Sequence, residues 1–496
     1  MIADLSAAIT SLGSPALADS ALLRDLACVG GEWRPARNGA VRVIANPATG
    51  APIGTVPAMG AREAADAVRA AETAWPAWRA MPAVERAAIL HLWSGLMRRH
   101  REDLATLITA EQGKPIAESR GEIDYAAAFP DWFAEDALRM VAELPPPHLP
   151  GCTVTVSREP VGITAAATPW NFPVAMIARK AGAALAAGCP MVVHPAEETP
   201  LSALALAELG NRAGLPPGVL SVITGPPEPV VGAWCADARV RALSFTGSTA
   251  VGRRLLAQCA PTVKRVQLEL GGHAPFIVFD DAPLVEAIAG AMAAKFATSG
   301  QDCLAANRIY IHRAIYPAFL DRFAAAVSEL AVGDGFDEGV AIGPLIHERA
   351  VRKCEEQVGD ALGKGARLLA GGARHALGGT FYQPTALANV TPAMRIYREE
   401  TFGPVAALIP FDNGDDIAAM ANDSEYGLAA YLFTADAARI RTLVGRLEYG
   451  MIAVNRVKMT GAPVPFGGIK QSGLGREGSR HGIEAFTEIK YVCQAA

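Results

Sequence analysis

The stretch GITAAATPWNFPVAMIARKAGAALAAGCPMVVHP, residues 162–195, contains an apolar strand pattern, a helical pattern and a second strand pattern. The alternation continues through LSALALAELGNRAG, VLSVITG and VRALSFTG to about residue 270. Repeated strand–helix–strand units are typical of a parallel sheet that is covered by helices on both faces. This segment therefore predicts an α/β fold.

A second series of the same kind begins with FIVFDD (276–281) and continues through LVEAIAGAMAAKFA and NRIYIH to about residue 460. Before the first series, residues 62–114 show the three- and four-residue apolar spacing of helices. The segment ELPPPHLPG (143–151) interrupts the periodicity, and TVTVSREPVG then alternates like a strand. At 496 residues the chain is long enough for two α/β lobes, which leaves the C-terminal EIKYVCQ strand to pair elsewhere.

Charge and cysteine content exclude several classes of protein. The chain has 45 basic and 50 acidic residues and a formal charge of -5, so no basic field recruits nucleic acid or an anionic membrane. The 8 cysteines form no C-x-x-C pair and no metal-binding pattern with histidine. Neither the N-terminal segment nor any apolar run predicts a targeting signal or a membrane span. We predict a cytoplasmic protein with reduced thiols, no metal and a small-molecule substrate.

Cys303 stands in the polar loop TSGQDC (298–303), between a predicted helix at 284–296 and a predicted strand that begins at Asn307. A lone cysteine is more often a small buried hydrophobe, but Gly, Gln and Asp neighbours do not suit a core position. A loop thiol can act as a nucleophile where a base or a positive charge accompanies it. The sequence therefore has to supply such a group elsewhere.

Three other segments could assist such a thiol. Glu269 ends a strand pattern before two glycines, so it is either a general base or a solvated edge glutamate. Asn171, between prolines in PWNFP, either donates its amide to an oxyanion or caps a rigid turn. In FTGSTAVG (245–252), Gly247 and Gly252 suit either a phosphate at a helix N-terminus or a tight turn.

Taken in order, these segments resemble the aldehyde dehydrogenase superfamily. The resemblance extends from IANPATG (44–50) to the C-terminus. The segments RKAGAALAAGC, NDSEYGLA and SGLGREGSRHGIEAF are most similar to the succinate-semialdehyde dehydrogenase branch. The motifs that carry the resemblance are PWNFP (169–173), FTGST (245–249), ELGG (269–272), GQDC (300–303), EETFGPV (399–405) and PFGGIK (465–470).

By this resemblance, Cys303 is the nucleophile that attacks an aldehyde and forms a thiohemiacetal and then a thioester. The Asn171 side chain and the Cys303 backbone N–H hold the oxyanion, and Glu269 activates the water that hydrolyses the thioester. The implied reaction is the NAD(P)+-dependent oxidation of an aldehyde to a carboxylic acid. Glu269 favours hydrolysis, while a CoA-acylating dehydrogenase and a non-catalytic structural protein stay open as alternatives.

The resemblance also implies a dinucleotide site on the 160–270 sheet. The family usually has lysine where this chain has His194, and imidazole is mostly neutral at pH 7. Glu197 would in addition repel a 2′-phosphate, so we predict NAD as the preferred coenzyme, with NADP as the alternative. The residues implied at this site are Thr168, Trp170, His194, Glu197, Gly225, Gly247, Ser248, Gly252, Leu270, Glu400 and Phe402.

For the substrate, Arg179 and Thr460 match positions that hold a carboxylate in the succinate-semialdehyde branch. The third such position, six residues before the nucleophile, is Ala297 instead of arginine, so one charge-assisted contact is missing. A basic residue of NRVKMTG either replaces it or is a surface charge. We predict succinate semialdehyde as the substrate, with glutarate and sulfonated semialdehydes as alternatives. The implied substrate-binding residues are Arg179, Arg456, Thr460 and Phe466.

The implied architecture is an α/β fold with a Rossmann-like cofactor domain, an α/β catalytic domain and a small β oligomerisation arm. Residues 1–140 and 159–270 are assigned to the dinucleotide-binding domain, and residues 271–465 to the catalytic domain. Residues 141–158 and 466–496 are assigned to the arm. Because the unpaired strand edges of an arm need a partner, a homodimer or homotetramer is expected.

Overall fold

The computed structural model describes residues 15–495; residues 1–14 and 496, at the two ends of the predicted domain ranges, lie outside the described part. The strands are β1 (Ala27–Val29), β2 (Glu32–Arg34), β3 (Val41–Ala45), β4 (Pro52–Pro57), β5 (Cys152–Pro160), β6 (Ile163–Ala167), β7 (Met191–His194), β8 (Leu220–Val222), β9 (Val240–Thr246), β10 (Arg265–Glu269), β11 (Ala274–Val278), β12 (Ala306–His312), β13 (Arg367–Ala370), β14 (Thr385–Ala388), β15 (Val405–Phe411), β16 (Tyr426–Gly427), β17 (Ala429–Phe433), β18 (Met451–Val454), β19 (Ile469–Lys470), β20 (Gly473–Leu474) and β21 (Thr487–Ala495).

The α-helices are α1 (Ala61–Ala80), α2 (Ala83–Arg99), α3 (Arg101–Gln112), α4 (Ile116–Leu138), α5 (Pro173–Ala187), α6 (Pro200–Arg212), α7 (Pro227–Ala236), α8 (Thr249–Cys259), α9 (Leu284–Phe296), α10 (Tyr316–Ser328), α11 (Glu348–Gly363), α12 (Arg395–Arg398), α13 (Ile417–Asn422), α14 (Ala437–Arg446) and α15 (Ser479–Gly482). Short 3₁₀ turns occur at Ser20–Leu22, Ala260–Thr262, Ala297–Gly300 and Ile483–Phe486.

Residues 162–195 form the centre of an eight-stranded sheet, as the sequence predicts. Its order is β2-β1-β8-β7-β6-β9-β10-β20, and β6 to β10 run parallel. The chain winds outward from β6 on one side and from β9 on the other, so the winding reverses between these two strands. Ligands of such sheets bind beyond the carboxyl ends of the strands at this switch point. Thr168 and Gly247, which follow the two strands, therefore border one crevice.

The second lobe is a seven-stranded sheet with the order β13-β14-β15-β12-β11-β17-β18, parallel except for β13. All residues of β12 and β17 are buried, as expected for a parallel sheet between helices. The helix predicted at 284–296 and the strand predicted at 307–312 are confirmed as α9 and β12. The predicted α/β fold with two lobes is thus confirmed.

The two sheets meet at a short junction, where the carboxyl ends of the strands in the first sheet lie opposite the amino ends of the strands in the second. Strand β10 ends at Glu269 and β11 begins at Ala274, so the carboxyl edge of the first sheet faces the amino edge of the second. The loop before β12, which contains Cys303, also lies at that amino edge. The chain path therefore brings Glu269 and Cys303, which are distant in sequence, to one junction.

The predicted helical layer at 62–114 is confirmed and continues to Leu138. It is divided at Pro82 and His100, where one helix ends and the next begins. Trp93 Nε1 donates to the Leu206 carbonyl at 3.1 Å, and Ser94 Oγ donates to the Ala127 carbonyl at 2.6 Å. These bonds fix α2 against α4 and α6.

Strands β5 and β21 form a separate antiparallel pair, in register from Cys152↔Ala495 to Pro160↔Thr487. β21 is exposed beyond its first residue. The rest of the predicted arm segment 466–496 lies elsewhere, since β20 joins the first sheet through Glu269↔Gly473. A Cβ at Gly473 would lie 2.0 Å from the Leu268 carbonyl oxygen, so only glycine permits this close pairing. No helix between residues 15 and 495 is long and apolar enough to cross a membrane.

Candidate active site

Cys303 lies on a loop from α9 to β12 whose backbone is unusual. Thr298, Ser299 and Gly300 have φ values of 51°, 57° and 71°. Left-handed backbone costs a non-glycine residue about 1–3 kcal/mol, so it persists only where surrounding contacts impose it. The loop that carries Cys303 is therefore held in place by tertiary contacts.

Those contacts come from two distant segments. The Thr298 N–H donates to both carboxylate oxygens of Glu118, at 3.1 and 2.9 Å. The Gln301 Oε1 accepts from the Ile346 N–H at 3.0 Å. Glu118 is a positioning residue that sequence reasoning missed, because it lies 180 positions from Thr298 in a helix without a recognisable motif.

Asn171 and Gly272 both border the cysteine loop. Asn171 is buried, and its Nδ2 donates to the Gln301 carbonyl at 3.0 Å. A Cβ at Gly272 would lie 2.1 Å from the Cys303 carbonyl oxygen, so only glycine allows the ELGG segment to approach this closely. The structure thus brings the predicted oxyanion residue beside the loop of the predicted nucleophile.

Glu269 is buried, and neither of its carboxylate oxygens has a hydrogen-bond partner among the described residues. A Cβ at Gly467 would lie 2.7 Å from its Oε1, so PFGGIK packs directly against the carboxyl group. Burial, followed by repulsion from Glu477, raises the pKa of Glu269 well above its usual range. The solvated edge glutamate considered from the sequence is excluded by this burial. Unpartnered buried carboxyl groups are costly and mark functional sites.

A buried charge cluster lies behind Glu269, and sequence reasoning missed it. Lys180 Nζ forms an ion pair with Glu477 and donates to Ser244 Oγ at 2.9 Å. Burial opposes the charge of Glu477, but Arg179 and Lys180 outweigh it and hold the pKa of Glu477 below its usual range. Burial also lowers the pKa of Lys180. Lys180 and Arg179 are neighbours in the sequence, but the sequence gives no sign that both contact Glu477, which is 297 positions from Lys180.

The electrostatics of the site oppose ionisation of the Cys303 thiol. Burial raises the pKa of the thiol well above its usual range, and Asp302, Glu400 and Glu269 raise it further. Arg179 acts in the opposite direction and favours the thiolate. At neutral pH the thiol is therefore protonated until a base removes its proton or a bound positive charge stabilises the thiolate.

Arg179 is 1% exposed and stacks on the predicted substrate residue Phe466, with 4.2 Å between the guanidinium carbon and the ring centroid. Its Nε lies 2.5 Å from the Glu477 carboxylate. Its two outer nitrogens have only weak contacts, with the Tyr125 hydroxyl at 3.4 Å and Met176 Sδ at 3.0 Å. The outer edge of the guanidinium is thus available to an anion.

The other two predicted substrate residues have different surroundings. Thr460 lies near the Tyr125 hydroxyl, which is also contacted by Arg179. Val457 and Met459 pack into the core of the second lobe, whereas Arg456 is exposed. The structure therefore places Thr460 beside Arg179 and turns Arg456 to solvent.

Several residues predicted for the dinucleotide site lie near the junction of the sheets. Trp170 and Phe402 pack edge to face at 5.5 Å. Glu400 Oε1 accepts from the Gly272 N–H at 2.8 Å, and burial raises the pKa of Glu400 to about 7. Thr168 Oγ1 is buried without a partner in the described part of the chain. Because a ligand can satisfy this orphaned hydroxyl at the switch point, the site fits a dinucleotide.

The adenosine end contains one residue that the sequence did not single out. His194 Nε2 lies 2.8 Å from the Gly225 carbonyl oxygen, and burial lowers the pKa of His194 to about 4. Glu197 pairs with Arg42 Nη1 at 2.6 Å. His194 is therefore neutral at pH 7, while Arg42 offsets the negative charge that was expected to repel a 2′-phosphate.

At the start of α8, Ser248 caps the helix by accepting from the N–H three residues ahead at 3.4 Å. A Cβ at Gly252 would lie 2.4 Å from a methyl of Leu270, and a Cβ at Gly247 would lie 2.5 Å from the Phe245 ring. Packing therefore accounts for both glycines. The helix N-terminus stays a candidate phosphate site, and the tight-turn alternative stays open.

Comparison with known proteins supports the resemblance. A sequence model described as the aldehyde dehydrogenase family matches residues 33–492. The Escherichia coli succinate-semialdehyde dehydrogenase [NADP(+)] is 53% identical over 477 residues, which covers 96% of this chain and 99% of that protein. The non-phosphorylating aspartate-semialdehyde dehydrogenase of Halomonas elongata is 53% identical over 480 residues, with 97% of each chain covered. A crystal structure of succinate-semialdehyde dehydrogenase from Burkholderia pseudomallei superposes with a TM-score of 0.96 at 52% identity, covering 97% of this chain and all of that chain (100%).

Proposed function

Since the chain belongs to the aldehyde dehydrogenase family, we propose that it oxidises a short semialdehyde with an anionic group to the acid, using NAD(P)+. Cys303 forms the covalent bond to the aldehyde carbon, and the Asn171 amide and the Cys303 N–H stabilise the oxyanion. A bound nicotinamide coenzyme supplies the hydride acceptor. The observation that carries this proposal is the convergence of Cys303, Asn171 and the unpartnered Glu269 at the junction of the sheets.

Hydrolysis rather than transfer to CoA releases the product in this proposal. Glu269 is buried beside the site, and its carboxylate has no hydrogen-bond partner among the described residues, so both oxygens can accept a proton from a bound water. Coenzyme A should therefore not change the rate of reduced-coenzyme formation, which is followed at 340 nm with and without CoA. Strict dependence on CoA would favour the acylating alternative, and no turnover of any aldehyde the structural one.

For the coenzyme, we propose a preference for NAD+. Its support is the neutral, buried His194, which offers no charge to a 2′-phosphate. Arg42 partly neutralises Glu197 and so reduces the repulsion between Glu197 and a 2′-phosphate. The Escherichia coli relative, whose name gives NADP+ as its coenzyme, makes a direct comparison worthwhile.

Replacement of His194 by lysine is expected to raise the kcat/KM ratio of NADP+ over NAD+ roughly 10- to 100-fold, the range for a hydrogen bond to a charged group. Steady-state kinetics with both coenzymes measures this ratio. His194→Gln is the neutral control and should leave the ratio within about twofold of the parent. A parent enzyme that already prefers NADP+ tenfold would overturn the proposed preference.

For the substrate, we propose that Arg179 binds the anionic group, with succinate semialdehyde as the reference compound and glutarate and sulfonated semialdehydes as alternatives. The outer edge of the Arg179 guanidinium supports this assignment, and the Thr460 hydroxyl near Tyr125 adds a polar contact. Ala297 supplies only a methyl group where the relatives of this branch are expected to have arginine. Arg179 is therefore the main cationic anchor of the proposed pocket.

Arg179→Lys is expected to lower kcat/KM for succinate semialdehyde by roughly 10-fold or more, while butanal changes little. Lysine keeps a positive charge beside Glu477 but loses the planar fork that pairs with a carboxylate. A panel of succinate, glutarate, sulfonated and uncharged aldehydes measures the effect, with Arg456→Ala beside it. If uncharged aldehydes react best and neither variant changes the order, the anionic-substrate proposal fails.

We also propose that the arm formed by β5 and β21 associates with a second copy of the chain, in a homodimer or homotetramer. β21 exposes Ile489, Tyr491 and Val492, and an exposed strand with apolar side chains is an edge that pairs or aggregates unless covered. Sedimentation velocity measures the assembly. A monomer at micromolar concentration would contradict the proposal.

A further inference from the structure

Asp302 stands directly before Cys303 and carries a carboxylate that forms no ion pair within the described part of the chain. Its Oδ1 accepts from the Leu304 N–H at 2.9 Å, which holds the carboxylate against the backbone that follows Cys303. The residue is half-buried, and it enters no ion pair with any lysine or arginine in residues 15–495. The two buried lysines that act on it at longer range have other partners, since Lys114 Nζ lies 2.9 Å from Glu122 and Lys295 Nζ lies 2.8 Å from Asn307.

The Asp302 carboxylate belongs to the residue directly before Cys303, whose sulfur is the reacting atom. The Cys303 thiol faces Asp302 closely enough to interact with its carboxylate. In the thiohemiacetal the aldehyde carbon is bonded to that sulfur, so the first carbons of the substrate lie beside Asp302. A negative charge there disfavours the thiolate, and Asp302 opposes thiol ionisation more than Glu400 or Glu269 does. Such an arrangement is costly unless a cation joins the site.

The opposite charge of the site is Arg179, which reaches the pocket from α5. Among residues 15–495, its outer nitrogens contact only the Tyr125 hydroxyl and Met176 Sδ, so they can receive an anion. Among the described residues, the outer guanidinium nitrogens of Arg179 and the Asp302 carboxylate, neither of which has a charged partner there, thus act on a site in which one end of the substrate is held at Cys303. A substrate with an anionic group alone would match Arg179 and leave Asp302 unpaired.

We propose that Asp302 binds a primary ammonium group on the carbon chain of the substrate, so that the preferred substrate is an amino-bearing semialdehyde whose anionic group binds Arg179. This inference rests on the proposed function and narrows its substrate class. A bound ammonium group neutralises Asp302 and lies near enough to the sulfur to favour the thiolate. An uncharged or purely anionic aldehyde supplies neither effect.

The test is a matched pair of substrates that differ in one group. Succinate semialdehyde and aspartate semialdehyde have the same four-carbon chain, and only the latter carries an ammonium group. The parent enzyme is expected to show at least about a 10-fold higher kcat/KM for the amino compound, since hydrogen bonds to charged groups have roughly this effect or more. Asp302→Asn keeps an acceptor for the Leu304 N–H and should reduce the ratio about 10- to 100-fold.

The ratio within each variant is the decisive quantity, because a general change in thiol reactivity cancels from it. Product inhibition gives a second readout, in which aspartate should lose affinity relative to succinate in Asp302→Asn, and Asp302→Ser repeats the test with a smaller acceptor. Equal ratios in parent and variants would overturn the role of Asp302 even if succinate semialdehyde is oxidised. Absence of turnover with every aldehyde in a folded parent enzyme would instead overturn the proposed function.

Discussion

Serine in place of Cys303 is expected to reduce kcat/KM for every aldehyde by on the order of 10⁴-fold or more. A cysteine can react even where its thiol is mostly protonated, because the small fraction present as thiolate is strongly nucleophilic. A hydroxyl has a much higher pKa than a thiol, so a serine at this position forms the nucleophilic anion far less readily. Initial rates of reduced-coenzyme formation over a range of aldehyde concentrations measure the loss.

Cys493→Ser is the matched control for this substitution, because Cys493 is exposed on β21, which pairs with β5 outside the two large sheets. It should retain the parent kcat/KM within about twofold. Thermal unfolding should place Cys303→Ser close to the parent, since the change alters one atom. A serine variant that keeps more than a few per cent of the activity would show that Cys303 is not the nucleophile.

The layered fold was predictable from local pattern, and the pairings between distant segments were not. The alternation in residues 162–195 predicts β6, α5 and β7, because strand and helix periods are written into neighbouring residues. The attachment of β20 to β10 has no such signal, since β20 is only Gly473–Leu474 and joins a strand more than 200 positions away. The pairing requires a glycine at position 473, because a Cβ there would clash with the Leu268 carbonyl oxygen. This requirement cannot be seen in the sequence, since it depends on Leu268 lying opposite.

The same distinction applies to the site. Cys303, Glu269 and Asn171 lie in motifs with polar or glycine neighbours that do not suit a core, so the sequence marks them. Glu118 lies in an ordinary helical pattern, and Arg42 in an ordinary strand. Their contacts with Thr298 and Glu197 depend on the register of whole elements. Asp302 was visible as a neighbour of the nucleophile, but its unneutralised charge emerges only when the partners of Lys114 and Lys295 are known.

Glutamine in place of Glu269 is expected to slow steady-state turnover roughly 10²- to 10⁴-fold, the usual contribution of a general base. Because Glu269 is assigned to the hydrolytic step and not to acylation, the first turnover should still release about one reduced coenzyme per site as a burst. Hydrolysis of the thioester then stalls, because the amide cannot take a proton from water. Rapid-mixing absorbance at 340 nm separates the burst from the slow phase.

The pH dependence gives an independent check on the same residue. Burial raises the pKa of Glu269 well above its usual range, so its basic form accumulates only as the pH rises through that raised value, and kcat should rise with it. In Glu269→Gln this limb of the profile should disappear, whereas Glu286→Gln, on the exposed side of α9, should keep it. A Gln variant with a parent-like steady state and an unchanged profile would remove Glu269 from the hydrolytic step and return the CoA-acylating reaction to consideration.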